Sequence, residues 1–368
     1  MEGRRFLVLI SVIWIFIHWL VGVYTYLNAF ELNITDVYVA TKVASFLGES
    51  LYENGALLWK LLLNELSRED LIVVSQGAGV PKAFWRDYGL RQLIVVLAFL
   101  YGIIKNWYVI IFLFSVLNFI VFYFGWVRAV KEIFNVSEKH VLLAGLLMPS
   151  LVFWSSVLHP EALFLNSVGG VLWLWRSKWK TAFVFLVFAM LWKLEITAFV
   201  GLLIWLLKRP TNISIVAGLG MLFLALLVFF PDPVWFVCHK QAKAFMLLGN
   251  TSFATYPICY TWDWTSLAIV RAVPEVLFSP IVIGGIAGWV FLLENIVVWG
   301  IALTLFIMRY KYWRMLDLIV IALAVMLIIG LTFNNAGSII RYRTVALAFL
   351  FLPSMAVALR RLESKLIY

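Results

Sequence analysis

The sequence predicts an all-α integral membrane fold, with about ten transmembrane helices, some of them short or re-entrant, and two longer segments on the outer side. Three observations predict it. The chain of 368 residues is 64% hydrophobic and 13% charged, with a mean hydropathy of +0.99, which is more apolar than a soluble globular domain. Apolar runs near the roughly 18–20 residues that cross a bilayer recur along most of the length. The positive charge is gathered in short clusters between those runs, the pattern of a multi-pass protein that obeys the positive-inside rule. Helices follow from the solvent, because a spanning helix satisfies its own backbone hydrogen bonds where there is no water to do so.

Taken in order, the runs give a topology. Phe6–Phe30 is the first pass, and its lack of an A-x-A-like end marks a retained helix rather than a cleaved signal. Six basic clusters then set the sidedness: Arg4/Arg5, Arg128/Lys131/Lys139, Arg176/Lys178/Lys180, Lys208/Arg209, Arg309/Lys311/Arg314 and Arg360/Arg361/Lys365. All six face the cytoplasm if neighbouring clusters are separated by an even number of passes. The runs allow it. Residues 6–30 go out and 106–127 return; 141–157 go out and 161–176 return; the short legs 181–191 and 196–207 go out and back. Residues 213–230 then go out, 281–308 return, 316–332 go out and 344–359 return. Both termini are then expected on the cytoplasmic side. Residues 92–104 are placed as an interfacial or re-entrant helix on the outer side, since a full pass there would put Arg128 and Lys131 outside. Residues 31–91 and 231–280 remain outside, as an extracytoplasmic cap on a single transmembrane domain spanning 1–368.

Several chemistries find no signature. The formal net charge of +10 is accounted for by the membrane-flanking clusters, so nucleic acid is not a partner. No internal repeat supports a duplicated transporter. CxxC, HExxH, a Walker A loop and a dinucleotide fingerprint are all missing from the sequence. The four histidines are scattered, which argues against a dedicated zinc site. The metal is left unassigned and no cofactor is required, though the acids and histidines below leave room for a divalent metal. Cys238 and Cys259 both fall in 231–280; a disulfide and two buried thiols fit them equally well.

The membrane-level polar residues collect on one side. Asp36 opens the first outer segment, and His159 and Glu161 sit at the outer turn between two passes. Lys193 and Glu195 occupy the outer turn of the short pair, His239, Lys240 and Lys243 the second outer segment, and Arg341 and Arg343 the approach to the last helix. One-sided acids and bases suit chemistry at one leaflet, whereas a channel places polar groups through the membrane depth. Glu294, inside the run 281–308, is the exception. Each also has a purely structural reading. Asp36 would serve as a helix cap. His159 and Glu161 suit the start of the helix after Pro160, and Lys193 could pair with Glu195. Arg341 and Arg343 would anchor headgroups, although basic residues on the outer side flout the charge rule and call for an anion. Asn334, Asn335, Gly337 and Ser338 read as a polar turn ahead of them. On a helix the two arginines point about 200° apart. Either residues 338–343 are extended, then, or only one arginine faces a ligand; that one is Arg341, with Arg343 left to lipid headgroups.

Three segments resemble GT-C-type glycosyltransferases, polytopic enzymes that use polyprenyl-phosphate-linked sugars. TDVYVATKVA, containing Asp36, resembles the acidic residue with nearby aromatics that opens the first outer loop of the class. PSLVFWSSVLHPEAL resembles the mid-chain segment of bacterial members. GSIIRYRTVALAFLFLP resembles the late R-Y-R element of the protein mannosyltransferase and aminoarabinose-transferase branch, although Thr344 and Val345 stand where a proline often follows and the first loop lacks the paired D-E of that branch.

The resemblance implies transfer of a sugar from a polyprenyl phosphate or diphosphate to a lipid-linked, glycan or protein acceptor, by single displacement at the extracytoplasmic face. A departing phosphate calls for cations rather than a general acid, and a planar guanidinium can hold two of its oxygens. An alcohol or amine acceptor needs a base. Asp36 is the expected base, with Glu161 as the second catalytic candidate. Arg341, Arg343, Lys240, Lys243 and His239 are the expected donor-phosphate ligands. His159 and Glu195 would orient the acceptor or a metal, the polyprenyl tail would lie among the helices, and membrane lipids are the remaining partner. An O-antigen or exopolysaccharide polymerase-like enzyme is the alternative, and a flippase or transporter for a lipid-linked glycan is the alternative of another class.

Overall fold

The structure, a computed structural model, describes residues 2–29, 35–63, 65–80, 88–159, 293–301 and 336–366, with isolated positions at 162, 165, 166, 169, 290 and 326. Among the described residues every regular element is a helix, as the composition predicts. They are α1 (Glu2–Leu27), α2 (Thr35–Glu49), α3 (Leu51–Leu63), α4 (Arg68–Ala78), α5 (Tyr88–Ile104), α6 (Trp107–Val121), α7 (Arg128–Phe134), α8 (Glu138–Leu146), α9 (Pro149–Ser156) and α10 (Ala336–Leu366). A π-helical stretch, Phe122–Val127, joins α6 to α7. The outer segment 231–280 and the expected passes between residues 170 and 289 lie outside the described residues.

Two stretches are long and apolar enough to cross a membrane: Arg5–Leu27, with mean hydropathy 2.5, and Trp107–Phe134, with 2.3. The first is unlike the core helix of a soluble protein. Most of it is not buried, and Val8, Leu9, Val12, Phe16, Leu20 and Leu27 are exposed. An outward face of that composition suits hydrocarbon rather than water. Leu90–Ile104 is apolar but shorter. The expected pass 141–157 is not one helix. The α8 helix ends at Leu146 and α9 starts at Pro149, leaving pieces of nine and eight residues. Proline lacks the N–H needed to continue α8 and disfavours helical backbone at Met148.

The chain divides into two compact units, residues 1–129 with 152–194 and residues 130–151 with 195–368. In the first, α2 packs on α3, α4 and α5, and α1 packs on α6. Val39, Ala40, Val43 and Leu47 line one face of α2 at helical spacing and meet Leu58 and Leu61 of α3, Val74 of α4, and Leu93, Ile94 and Leu97 of α5. This core fixes α2, whose first turn carries Asp36. At the start of α4, the Asp70 N–H donates to Ser67 Oγ at 3.1 Å and the Ser67 N–H donates to Asp70 Oδ2 at 2.9 Å, a reciprocal cap. Lys60 Nζ of α3 donates to the same carboxylate at 3.0 and 3.2 Å. Gly79 closes α4 in the left-handed region, at φ 66°.

In the second unit α10 packs on α8, burying Leu347, Leu350, Phe351 and Leu352. The foot of α10 is tied by polar contacts. Glu363 accepts from His140 Nε2 at 2.8 Å and pairs with Lys139, and Arg360 Nη1 donates to the Asn135 carbonyl at 2.6 Å.

Candidate functional site

Asp36 and His159 meet. The start of α2 places the Asp36 carboxylate at the positive end of a helix, where a negative charge is favoured. His159 follows the end of α9 and donates from Nε2 to Asp36 Oδ2 at 2.9 Å, across 123 residues of sequence. The two side chains differ in access: Asp36 is 29% exposed and His159 only 2%. Asp36 is the member a substrate can reach, and His159 supports it from behind. His159 is in turn held on several sides. Its ring meets Trp154 edge-on with centroids 6.0 Å apart, its N–H donates to the Val157 carbonyl at 2.8 Å, and its carbonyl accepts from Ala162 at 3.0 Å. Close by in sequence, Val157 packs with Ala29, two residues past the end of α1, and with Val37 of α2. A partly exposed carboxylate oriented in this way can take a proton from an alcohol or amine set against it.

Arg343 lies in the second unit, and its position corrects the expectation that it anchors lipid headgroups. It is fully buried and within electrostatic reach of Glu294. Glu294 accepts from the Ser150 N–H, 3.2 Å from each carboxylate oxygen, and from Ser150 Oγ at 2.8 Å. Ser150 is the second residue of α9, so Glu294 serves as an acidic cap for that helix. The acid that stood apart in the sequence reading therefore has a structural role. Of the two alternatives for 338–343, an extended segment or a helix with one arginine facing a ligand, the extended one is excluded. α10 is helical from Ala336 onward, and Gly337 and Ser338 belong to it rather than to a turn. Arg341 and Arg343 therefore leave the helix about 200° apart. Arg341 is on α10, with its side chain outside the described set. Glu161, Lys193, Glu195, His239, Lys240 and Lys243 also lie outside the described residues, as do Asn334, Asn335, Cys238 and Cys259. Among the described residues, no group of three or more His, Cys, Asp or Glu could hold a metal.

One polar cluster was missed by sequence reasoning. His18 of α1 donates from Nδ1 to the Trp14 carbonyl at 2.8 Å, and its Nε2 lies 3.0 Å from Ser155 Oγ. Asn118 of α6 donates to the Ser155 carbonyl. The available signal was a histidine and an asparagine inside otherwise apolar, membrane-length runs, where polar side chains are rare and face the protein interior.

No protein-family model matches the chain, and neither a curated protein nor a solved structure shows significant similarity to it.

Proposed function

We propose that the protein is a multi-pass glycosyltransferase of the GT-C type, with both termini cytoplasmic and its chemistry at the extracytoplasmic face of the cytoplasmic membrane. The observation that carries this reading is the Asp36–His159 pair. Two residues singled out separately in the sequence lie 2.9 Å apart, with the carboxylate accessible and the imidazole buried behind it. In the proposed reaction an acceptor oxygen or nitrogen attacks C1 of a sugar carried on a polyprenyl phosphate. The bond from C1 to the phosphate oxygen breaks, the polyprenyl phosphate leaves, and Asp36 takes the acceptor proton. His159 keeps the carboxylate in one orientation. Arg341 is the proposed ligand for the phosphate, since Arg343 is fully buried and within electrostatic reach of Glu294. Lys240, Lys243 and His239 are proposed to assist Arg341, and Glu161 is the reserve base.

The test uses purified protein in nanodiscs, with polyprenyl phosphate as the binding probe and radiolabelled polyprenyl-phosphate hexoses as donors. Asp36→Asn should keep probe binding and lose transfer by about 10²-fold or more, the scale of a lost general base. Arg341→Ala should weaken probe binding by about 1.5–3 kcal/mol, the range for a hydrogen bond to a charged group. Undiminished transfer by Asp36→Asn would remove it from the mechanism. A protein that moves the labelled lipid between leaflets with its sugar–phosphate bond intact would be a flippase.

A further inference from the structure

His18 is fully buried within the first membrane-length stretch, and Asn118 is buried within the second. Both reach the same residue, Ser155. A carbonyl oxygen can only accept, so the nitrogen of His18 facing the Trp14 carbonyl, Nδ1, carries a proton. In a neutral ring Nε2 then accepts from the Ser155 hydroxyl. Asn118 fixes the main chain of that residue while His18 fixes its side chain. Gly22, one turn further along α1, brings the backbones close: a β-carbon there would stand 2.9 Å from the Ser156 carbonyl oxygen and 2.6 Å from a methyl of Ile111. Four residues beyond Ser155, the same short segment presents His159 to Asp36. A slack seat at Ser155 would let the imidazole turn away from the carboxylate.

We propose that His18 and Asn118 are positioning residues for the Asp36–His159 pair, acting through Ser155 to set the orientation of the His159 ring. The inference rests on the reading of that pair as a functional centre, and its test needs no substrate. The whole chain, labelled with isotopic histidine and held in nanodiscs, has only four histidines to observe, and the ring-nitrogen signals of His159 are assigned by their loss in His159→Gln. Asp36→Asn should move the His159 signals. If it does not, the pair itself is wrong, whatever the role of His18. With the pair established, His18→Ala and Ser155→Ala should each shift the His159 nitrogens at a temperature where the protein is folded. His18→Gln, which can still accept from Ser155, should restore most of the wild-type position. Should His18→Ala fail to fold, Ser155→Ala, which removes one oxygen, decides alone. A lowered melting temperature with unmoved His159 signals would overturn the proposal and leave His18 as helix-to-helix glue. In the wild type, a protonated Nε2 in the His18 signal would overturn it as well.

Discussion

A carboxylate and a guanidinium taken out of water each carry a desolvation cost that only close partners offset. Glu294 meets that cost with two donors on Ser150 and the charge of Arg343. Removing one partner strands the others. Ser150→Ala should lower stability by about 1.5–3 kcal/mol, the loss of a hydrogen bond to a charged group. Glu294→Gln and Arg343→Met should each lower the melting temperature, and the double substitution should recover part of the loss, with a coupling of about 0.5–3 kcal/mol. If Arg343 instead bound a donor phosphate, Arg343→Met would weaken polyprenyl phosphate binding and the two substitutions would add. The sequence made these residues visible as types but not as partners. Asp36 and His159 stood out as polar residues on one side of the membrane, yet nothing local joins positions 123 residues apart. The R-Y-R spacing says that its arginines diverge on a helix; which of them turns inward depends on the packing of α10.

At the scale of elements, several boundaries were written in local chemistry. Ser67-Arg68-Glu69-Asp70 has the spacing of a capping box, and Met148-Pro149 that of a break. Both signals are short-range and therefore legible in principle, although 141–157 was read as one pass on its apolar run alone. The cap of α4 also sets a pH expectation. The Ser67 backbone N–H, then Lys60, hold the Asp70 carboxyl below its ordinary 3.8. A group whose folded value is depressed contributes stability that is complete above its unfolded value and is lost as pH falls through the folded one. Intrinsic-rate-corrected hydrogen exchange of α4 amides should therefore stay flat from about pH 7 to 5 and rise only below about 4. Ser67→Ala should cost about 1 kcal/mol of local stability. Faster exchange already at pH 6 in the wild type would contradict the assignment. A second close approach occurs at Gly125, in the π-helical stretch, where an added β-carbon would stand 2.0 Å from the Gly169 carbonyl oxygen. Backbone cannot yield as a side chain does, so Gly125→Ala should destabilise by about 1–3 kcal/mol, read as a lower melting temperature. No change would mean that the two glycines do not touch.

For the whole molecule, composition was the most legible level. Long continuous apolar runs in a chain that is 64% hydrophobic call for helices, and the described residues are helical, with two membrane-length stretches where runs 6–30 and 106–127 were read. The division into two compact units was not legible, because it depends on contacts between residues far apart in the chain. Sidedness rests on charge alone. Arg5 lies at the start of the first stretch, and Arg128 and Lys131 lie near the end of the second. An outward pass followed by a return would put those ends on one side and α2, α3 and α4 on the other. Glu132 and Glu53 are exposed and report on the two sides. In a background carrying Cys238→Ser and Cys259→Ser, Glu53→Cys should react with a membrane-impermeant maleimide in intact cells. Glu132→Cys should react only after permeabilisation. Labelling of Glu132→Cys from outside would invert the first two passes. It would also move Asp36 to the cytoplasmic face, and an extracytoplasmic sugar transfer could not then use it as a base.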